Sequence, residues 1–483
     1  MIRKNIFTRI HPALLPVAGI FLFSILIIGC DLVDPTEVEN PEVTDESLVG
    51  ELRSTQAALQ GTRFRFSAYI ANAAYFTDVV SDNYDNVATF ISPDADNPRA
   101  MRPSDLTLNG FNSIYHQGQR LRAQATFGIE EVAPNDPSPA VTPPMVAEMR
   151  FLRAMANLIQ AENFSYVPVE ENGPALPADE LIVLAVDELN DVLDDAATPA
   201  NIRTAAQFAL ARAYRLQGDQ ANAVSAANAA LGMDDEFVFV AEYDTDNLTN
   251  TGYVFAVQRA LNDIQPLPRL DYLDPKYTRM NSPIPVLKAE EAHLILAEAA
   301  IADGSWGTAR DYMKSAADLA LSDAGVRSVV NFTDNDPRSG RPNSSDLLVQ
   351  ADPDSDNREG LILPRGGNTV TIHTVSNTSV RDEHIDDLAE TREDFLWMLN
   401  LLRQEIFFFE GRRMSDLGIR LPLTQREIET NETLSAGDPG SEPVVPDYIP
   451  AGTGLDAFQV DNGIVTIQYD MNRVLAENNV SAF

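Results

Sequence analysis

The chain has 483 residues, with 35 basic against 72 acidic side chains and a formal charge of −37. Such a surface repels phosphate backbones, which excludes nucleic acid as a partner. A single cysteine leaves no internal disulfide, so stability rests on packing.

Arg3, Lys4 and Arg9 precede an apolar run of 15 residues, Leu14 to Ile28, that ends in Ile27-Ile28-Gly29-Cys30. Basic, apolar, then small is the order of a secretory signal, and the run is shorter than the roughly 20 residues a membrane-spanning helix needs. The last four residues resemble a bacterial lipobox, in which the cysteine thiol carries the lipid. This predicts a signal peptide over 1–29 and a lipid on Cys30. Cleavage there removes three basic and no acidic residues, so the mature chain is more acidic still. Only four of the 35 basic residues are lysines. An acidic, lysine-poor chain suits concentrated salt, where screening suppresses self-repulsion, and predicts a halophilic setting.

Residues 30–46 are acidic and contain proline, and read as a flexible tether. Helical patterning begins near Ser47 and predicts one folded unit over 47–483. A polar stretch from Ser81 to Thr107 reads as a long surface loop. Helices follow over Asn109–Glu130 and Pro144–Phe164. In 205–231, Ala211, Gly218, Ala223 and Ala230 share the spacing of Ala297, Gly304, Ala309 and Ala316 in 291–317. This is the tetratricopeptide pattern of helix, glycine turn and helix, with alanine where the helices approach. Phe237–Val240 and Gly252–Phe255 are predicted as short strands. Residues 321–380 read as mainly loop, 390–415 as helix, and Ile464–Tyr469 as a strand. The fold class is mainly α: a tetratricopeptide-like helix-pair scaffold with an irregular, loop-rich ligand-binding part and a few short strands.

Residues 403–434 resemble the SusD/RagB family of outer-membrane nutrient-binding lipoproteins. Glu405, Phe409, Glu410, Gly411, Arg413, Asp416 and Leu417 match the motif that ends its helical part. Pro422, Glu427, Ile428 and Asn431 match the turn after it. Phe151, Leu152, Arg153 and Ala154, then Phe164, Val167 and Pro168, match an earlier helix and turn, with Ser165 in place of glycine. Glu291, Ala297, Glu298 and Ala299 match a third helix. A fourth has Phe111 for tryptophan and Gly118 for an apolar residue. With Cys30, the matches run in order to Asn431.

The resemblance implies a lipid-anchored outer-membrane protein facing the cell exterior. It would bind oligosaccharide or peptide and pass it to a SusC-like TonB-dependent transporter, without a cofactor and without catalysis. It places binding loops after the first long helix, which nominates Asp78, Asp82, Asn83, Tyr84, Asn86 and Phe90. Tyr84 and Phe90 offer stacking faces beside polar groups. The loops around Tyr253 and over 331–380 are the fallback. Glu410, Arg413 and Asp416, spaced by three, read as an ion network on one helix face that ties the helix to its neighbours.

Two rival readings are a tetratricopeptide scaffold for protein assembly in the envelope and a lipid-anchored hydrolase. No Walker loop, Gly-x-Ser-x-Gly, His-Glu-x-x-His or dinucleotide fingerprint occurs, and the five histidines are scattered. Asp352, Asp354 and Asp356 open like a calcium loop, but Asn357 stands where the turn glycine belongs and Leu363 where the closing glutamate belongs, so no metal is expected there. Trp306 and Trp397 read as packed residues.

Overall fold

The computed structural model describes residues 48–86, 95–110, 112–138, 140–258, 264–333, 342, 344–452 and 454–483. The signal segment, Cys30, the tether, Phe90 and Phe111 lie outside the described residues. Helices dominate: α1 (Ser54–Val80), α2 (Ile114–Phe127), α3 (Thr142–Asn163), α4 (Ala178–Asp194), α5 (Ala200–Leu216), α6 (Gln220–Met233), α7 (Ala289–Ala302), α8 (Trp306–Leu321), α9 (Arg392–Ile406) and α10 (Met471–Glu477). From α1 to α8 each packs on the next in sequence; α9 then lies on α7, and α10 on α9. Among the described residues no helix is long and apolar enough to cross a membrane.

The starts of several helices are chemically marked. Ser113, Asp219, Thr391 and Asp470 accept N–H bonds at the first turns of α2, α6, α9 and α10. Acidic pairs open α4, α7 and α9, where they complement the helix dipole. Alanine sets the spacing of the two repeat pairs. Ala211, Ala223 and Ala230 in α5–α6, and Ala297, Ala309 and Ala316 in α7–α8, are all buried.

Gly218 and Gly304 adopt φ of 71° and 67°, the left-handed conformation after a helix end. In each turn two N–H groups close back onto the last helical carbonyls: Gly218 on Arg215 and Asp219 on Tyr214, Gly304 on Ile301 and Ser305 on Ala300. The shared offsets thus reflect one turn geometry used twice.

The short-strand and loop readings are refined in three places and corrected in one. Residues 321–380 contain strands Val329–Thr333 and Thr369–His373, paired antiparallel, and Leu348–Gln350. The last runs parallel to Ile464–Ile467, itself antiparallel to Phe458–Asp461. Val238–Ala241 is a strand, paired with Ile284–Lys288. Gly252–Phe255 is not: Asn250 accepts the Tyr253 N–H through its side chain and starts a helical turn, Thr251–Tyr253. Helix α10 beyond the C-terminal strand was not foreseen.

Forcing a Cβ onto either turn glycine places an L side chain in the left-handed region. Gly218→Ala and Gly304→Ala should each cost about 1 kcal/mol in urea unfolding. Unchanged midpoints would show that these turns tolerate alanine and do not fix the helix pairs.

Candidate functional site

The Glu410–Asp416 segment is the hub of the fold, in a geometry its spacing does not reveal. Helix α9 stops at Ile406, and Phe409 and Gly411 take φ of 58° and 77°. The motif therefore leaves the helix in a tight turn, and the one-helix-face reading is corrected. A Cβ on Gly411 would stand 3.2–3.4 Å from the backbone of Ala73 and Ala74, so glycine lets this turn press against α1. From the turn each charge reaches a different element. Glu410 accepts from Lys276 at 2.5 Å and Lys288 at 2.6 Å. Arg413 grips Asp82 with two bonds, at 2.5 and 2.8 Å. Asp416 accepts from Arg403 at 2.7 Å. Arg412 bonds Glu291, which Arg212 also holds with a two-pronged contact.

All these side chains are buried. Burial pushes the Glu291 carboxyl up, but the charges of Arg212 and Arg412 outweigh it and hold it at about 2. Asp82 lies below its ordinary value in the same way: burial opposes ionisation, and Arg413 overcomes it.

The nominated loop residues belong to this hub. Asp78, Asp82, Asn83 and Tyr84 are each 0 % exposed. Asp78 accepts the Phe409 N–H at 2.7 Å and the Asn83 amide at 3.0 Å. The Gln404 amide donates to both Asp82 and Asn83 at 2.9 Å. The Tyr84 hydroxyl donates to Asp274, and its ring stacks on Phe408. Start-of-loop polarity here serves core partners far along the chain, Asp274, Gln404, Phe409 and Arg413, so the surface-loop reading is corrected for Ser81–Tyr84. Asn86 lies in strand Tyr84–Asn86, paired with Ile264–Pro266.

A ligand-sized opening lies elsewhere. A cavity of about 800 Å³ is walled by the 349–361 loop, α9 and α10. Trp397 lines it, half-buried. Its indole N–H donates to Asp470 at 2.9 Å, and the Arg473 guanidinium stands 4.6 Å from its ring centre. Met398 and Leu401 add an apolar floor. Arg269, on the turn of helix Pro268–Lys276, lines the same cavity at 5 % exposure. Its Nε and Nη2 are buried without a hydrogen-bond partner. A buried guanidinium with unused donors carries a desolvation cost that a ligand's oxygens would offset. The calcium-like aspartates form one wall, but Asp352 is engaged as a turn former: its carboxylate accepts from the Asp354 N–H at 2.9 Å and the Ser355 hydroxyl at 2.8 Å.

Another cavity, about 940 Å³, opens between α2, α3 and the 169–172 loop. Its Arg122 is already bonded to Asn157, Gln119, Gln160 and the Pro168 carbonyl, and no tryptophan lines it. The cavity lined by both Trp397 and Arg269, with its unused donors, is the candidate site. Sequence reasoning missed Arg269, because nothing local marks an arginine as holding unused donors. Trp397 was read as packed, and it is both packed and cavity-lining.

No family model matches the sequence, and no curated protein matches it. Solved structures do match its fold. A SusD superfamily protein from Bacteroides thetaiotaomicron, 13% identical, aligns over 79% of this chain and 91% of that one with a TM-score of 0.50. One from Bacteroides fragilis, 10% identical, aligns over 78% and 89% with a TM-score of 0.51. One from Bacteroides vulgatus, 12% identical, aligns over 75% and 87% with a TM-score of 0.50. The chain has the mainly α fold of the SusD superfamily.

One member of the hub has a pH signature. Burial raises the Asp78 carboxyl from 3.8 to about 7, only partly offset by the bonds from Asn83 and Phe409. Its folded-state value lies above its ordinary one. Its contribution is therefore full below about pH 4 and lost as pH rises through 7. Asp78→Asn, which keeps an acceptor for both bonds, should remove about 2 kcal/mol or more of the stability lost between pH 5 and 8 in denaturant unfolding. An unaltered slope would contradict this.

Proposed function

We propose that this chain is a nutrient-binding lipoprotein of the outer membrane. It is anchored through Cys30, faces the cell exterior, and hands an oligosaccharide to a SusC-like TonB-dependent transporter. Peptide is the second ligand class. The observation that carries the binding role is the pairing of Trp397 with the unpartnered Arg269 donors in one cavity of about 800 Å³. Sugar rings present apolar C–H faces to an aromatic plane and hydroxyl oxygens to N–H donors. The acidic wall supplies acceptors for hydroxyl protons. The SusD superfamily fold and the lipobox-like Ile27–Cys30 support placing such a cavity at the cell surface.

We place the ligand at this cavity, within reach of the 331–380 fallback region, rather than at the start of the first loop. Asp78, Asp82, Asn83 and Tyr84 are occupied in the core; Asn86 and Phe90 remain candidate contacts. We assign no catalytic step to the cavity. Binding followed by release to a transporter needs stacking and hydrogen bonds of moderate strength, which the site offers.

The test uses the lipid-free mature chain carrying Trp306→Phe, so that Trp397 alone reports. Soluble oligosaccharides and peptides are titrated while tryptophan emission is followed, and binders are confirmed by calorimetry. A stacking ligand should shift the emission. Trp397→Ala should weaken calorimetric binding roughly 2- to 12-fold, and Arg269→Gln should weaken it too, each titrated at a temperature where its melting curve shows it folded, because Trp397 also packs and bonds Asp470. Binding that is indifferent to both substitutions would remove the ligand from this cavity. Binding of neither class would overturn the proposal.

A further inference from the structure

Three carboxylates outside that cavity converge from separate parts of the chain. Asp85 sits in the short strand after α1, Asp96 just before the turn Pro98–Ala100, and Asp456 in the turn closed by the Ala457 N–H on the Gly454 carbonyl. One carboxylate oxygen from each lies within 4.8 Å of the others. The convergence is built in. Leu455 is buried beside Asp456, and Arg99 ties the Asp96 segment to the C-terminal loop through the carbonyls of Val445, Pro446 and Ile449.

An independent observation concerns Asp456 itself. It is 5 % exposed, and its Oδ2 is buried with no hydrogen-bond partner. An unsatisfied carboxylate oxygen is costly in the interior, and like charges beside it add to the cost. Among the described residues neither Asp85 nor Asp456 has an ion pair. Burial, then the charges of Asp85 and Asp96, push the Asp456 carboxyl well above its ordinary range. A proton or a cation at this point would offset that cost.

The donor set favours one cation. Calcium takes about six to eight oxygens in flexible geometry and accepts several carboxylates. Magnesium demands octahedral order, keeps several of its waters and is usually held by one or two carboxylates, so three carboxylates from separate segments suit calcium better. We propose that Asp85, Asp96 and Asp456 form a calcium site, completed by water or carbonyl oxygens, that fastens the C-terminal turn to the strand following α1. This is a structural-ion role, independent of the ligand reading above.

The test is made on the mature chain after EGTA treatment and dialysis. Calcium at 1 mM should raise the melting temperature by about 3 °C, and calorimetry should show one ion per chain. Magnesium, or sodium chloride at matched ionic strength, should do much less. Asp456→Asn should melt higher than wild type in EGTA, because it removes the uncompensated charge, and should lose the calcium increment. If that variant does not fold, Asp85→Asn, at a more exposed position, should show the same loss. Equal shifts with magnesium or sodium would assign the effect to screening of the acidic surface. Such a result, no calcium binding, or an increment that survives in both variants, would overturn the site in favour of a shared proton.

Discussion

The structure depends on buried charge being matched. Arg413 on Asp82, Arg403 on Asp416, Arg412 and Arg212 on Glu291, and Lys276 and Lys288 on Glu410 lie between the helices and the irregular segments. Each partner alone would be an uncompensated charge in the interior, at a cost of several kcal/mol. Together they leave one arrangement in which each charge has a partner of opposite sign. Because the partners come from residues 82, 212, 276, 288, 291 and 403–416, that arrangement closes the long chain on itself. Apolar packing supplies the bulk of the stability, but it is less demanding about register.

The choice of base in this layer follows from shape. Two of the chain's four lysines, Lys276 and Lys288, converge on Glu410. Around Glu410 the acceptors point from several directions: the Phe408 and Ile406 carbonyls and the Ser376 hydroxyl besides the carboxylate. A compact ammonium with three donors satisfies such a set, whereas a planar guanidinium suits the two-pronged contacts on Asp82 and Glu291. In an arginine-biased chain these lysines persist where arginine does not fit.

How much of this was legible varied with the distance over which the information acts. The alanine and glycine offsets of 205–231 and 291–317 are local, and they gave the helix pairs and their turns. The family-like stretch at 403–434 gave the fold class and flagged Glu410, Arg413 and Asp416. The exit from α9 was hidden because Phe409, not a glycine, takes the first left-handed turn. Asp82 and Asn83 looked like solvated loop residues because Gln404 and Arg413, their partners, are more than 300 positions away. A local signal did exist at Asn250, an N-cap residue three before Tyr253, and it argued against the strand assigned to Gly252–Phe255. The cavity, assembled from Arg269, the 349–361 loop, Trp397 and Asp470, has no contiguous signature at all.

The central claim is that the ionic layer, through Arg413 and Asp82, couples the segment after α1 to the segment after α9. A double-mutant cycle on this pair measures that coupling directly, with Asp82→Asn, Arg413→Met and the double variant unfolded in urea. The account predicts large single costs and a double variant far less destabilised than their sum, with a coupling of about 2 kcal/mol or more. Additive costs would show that the two residues are merely neighbours and that the layer does not hold the fold together.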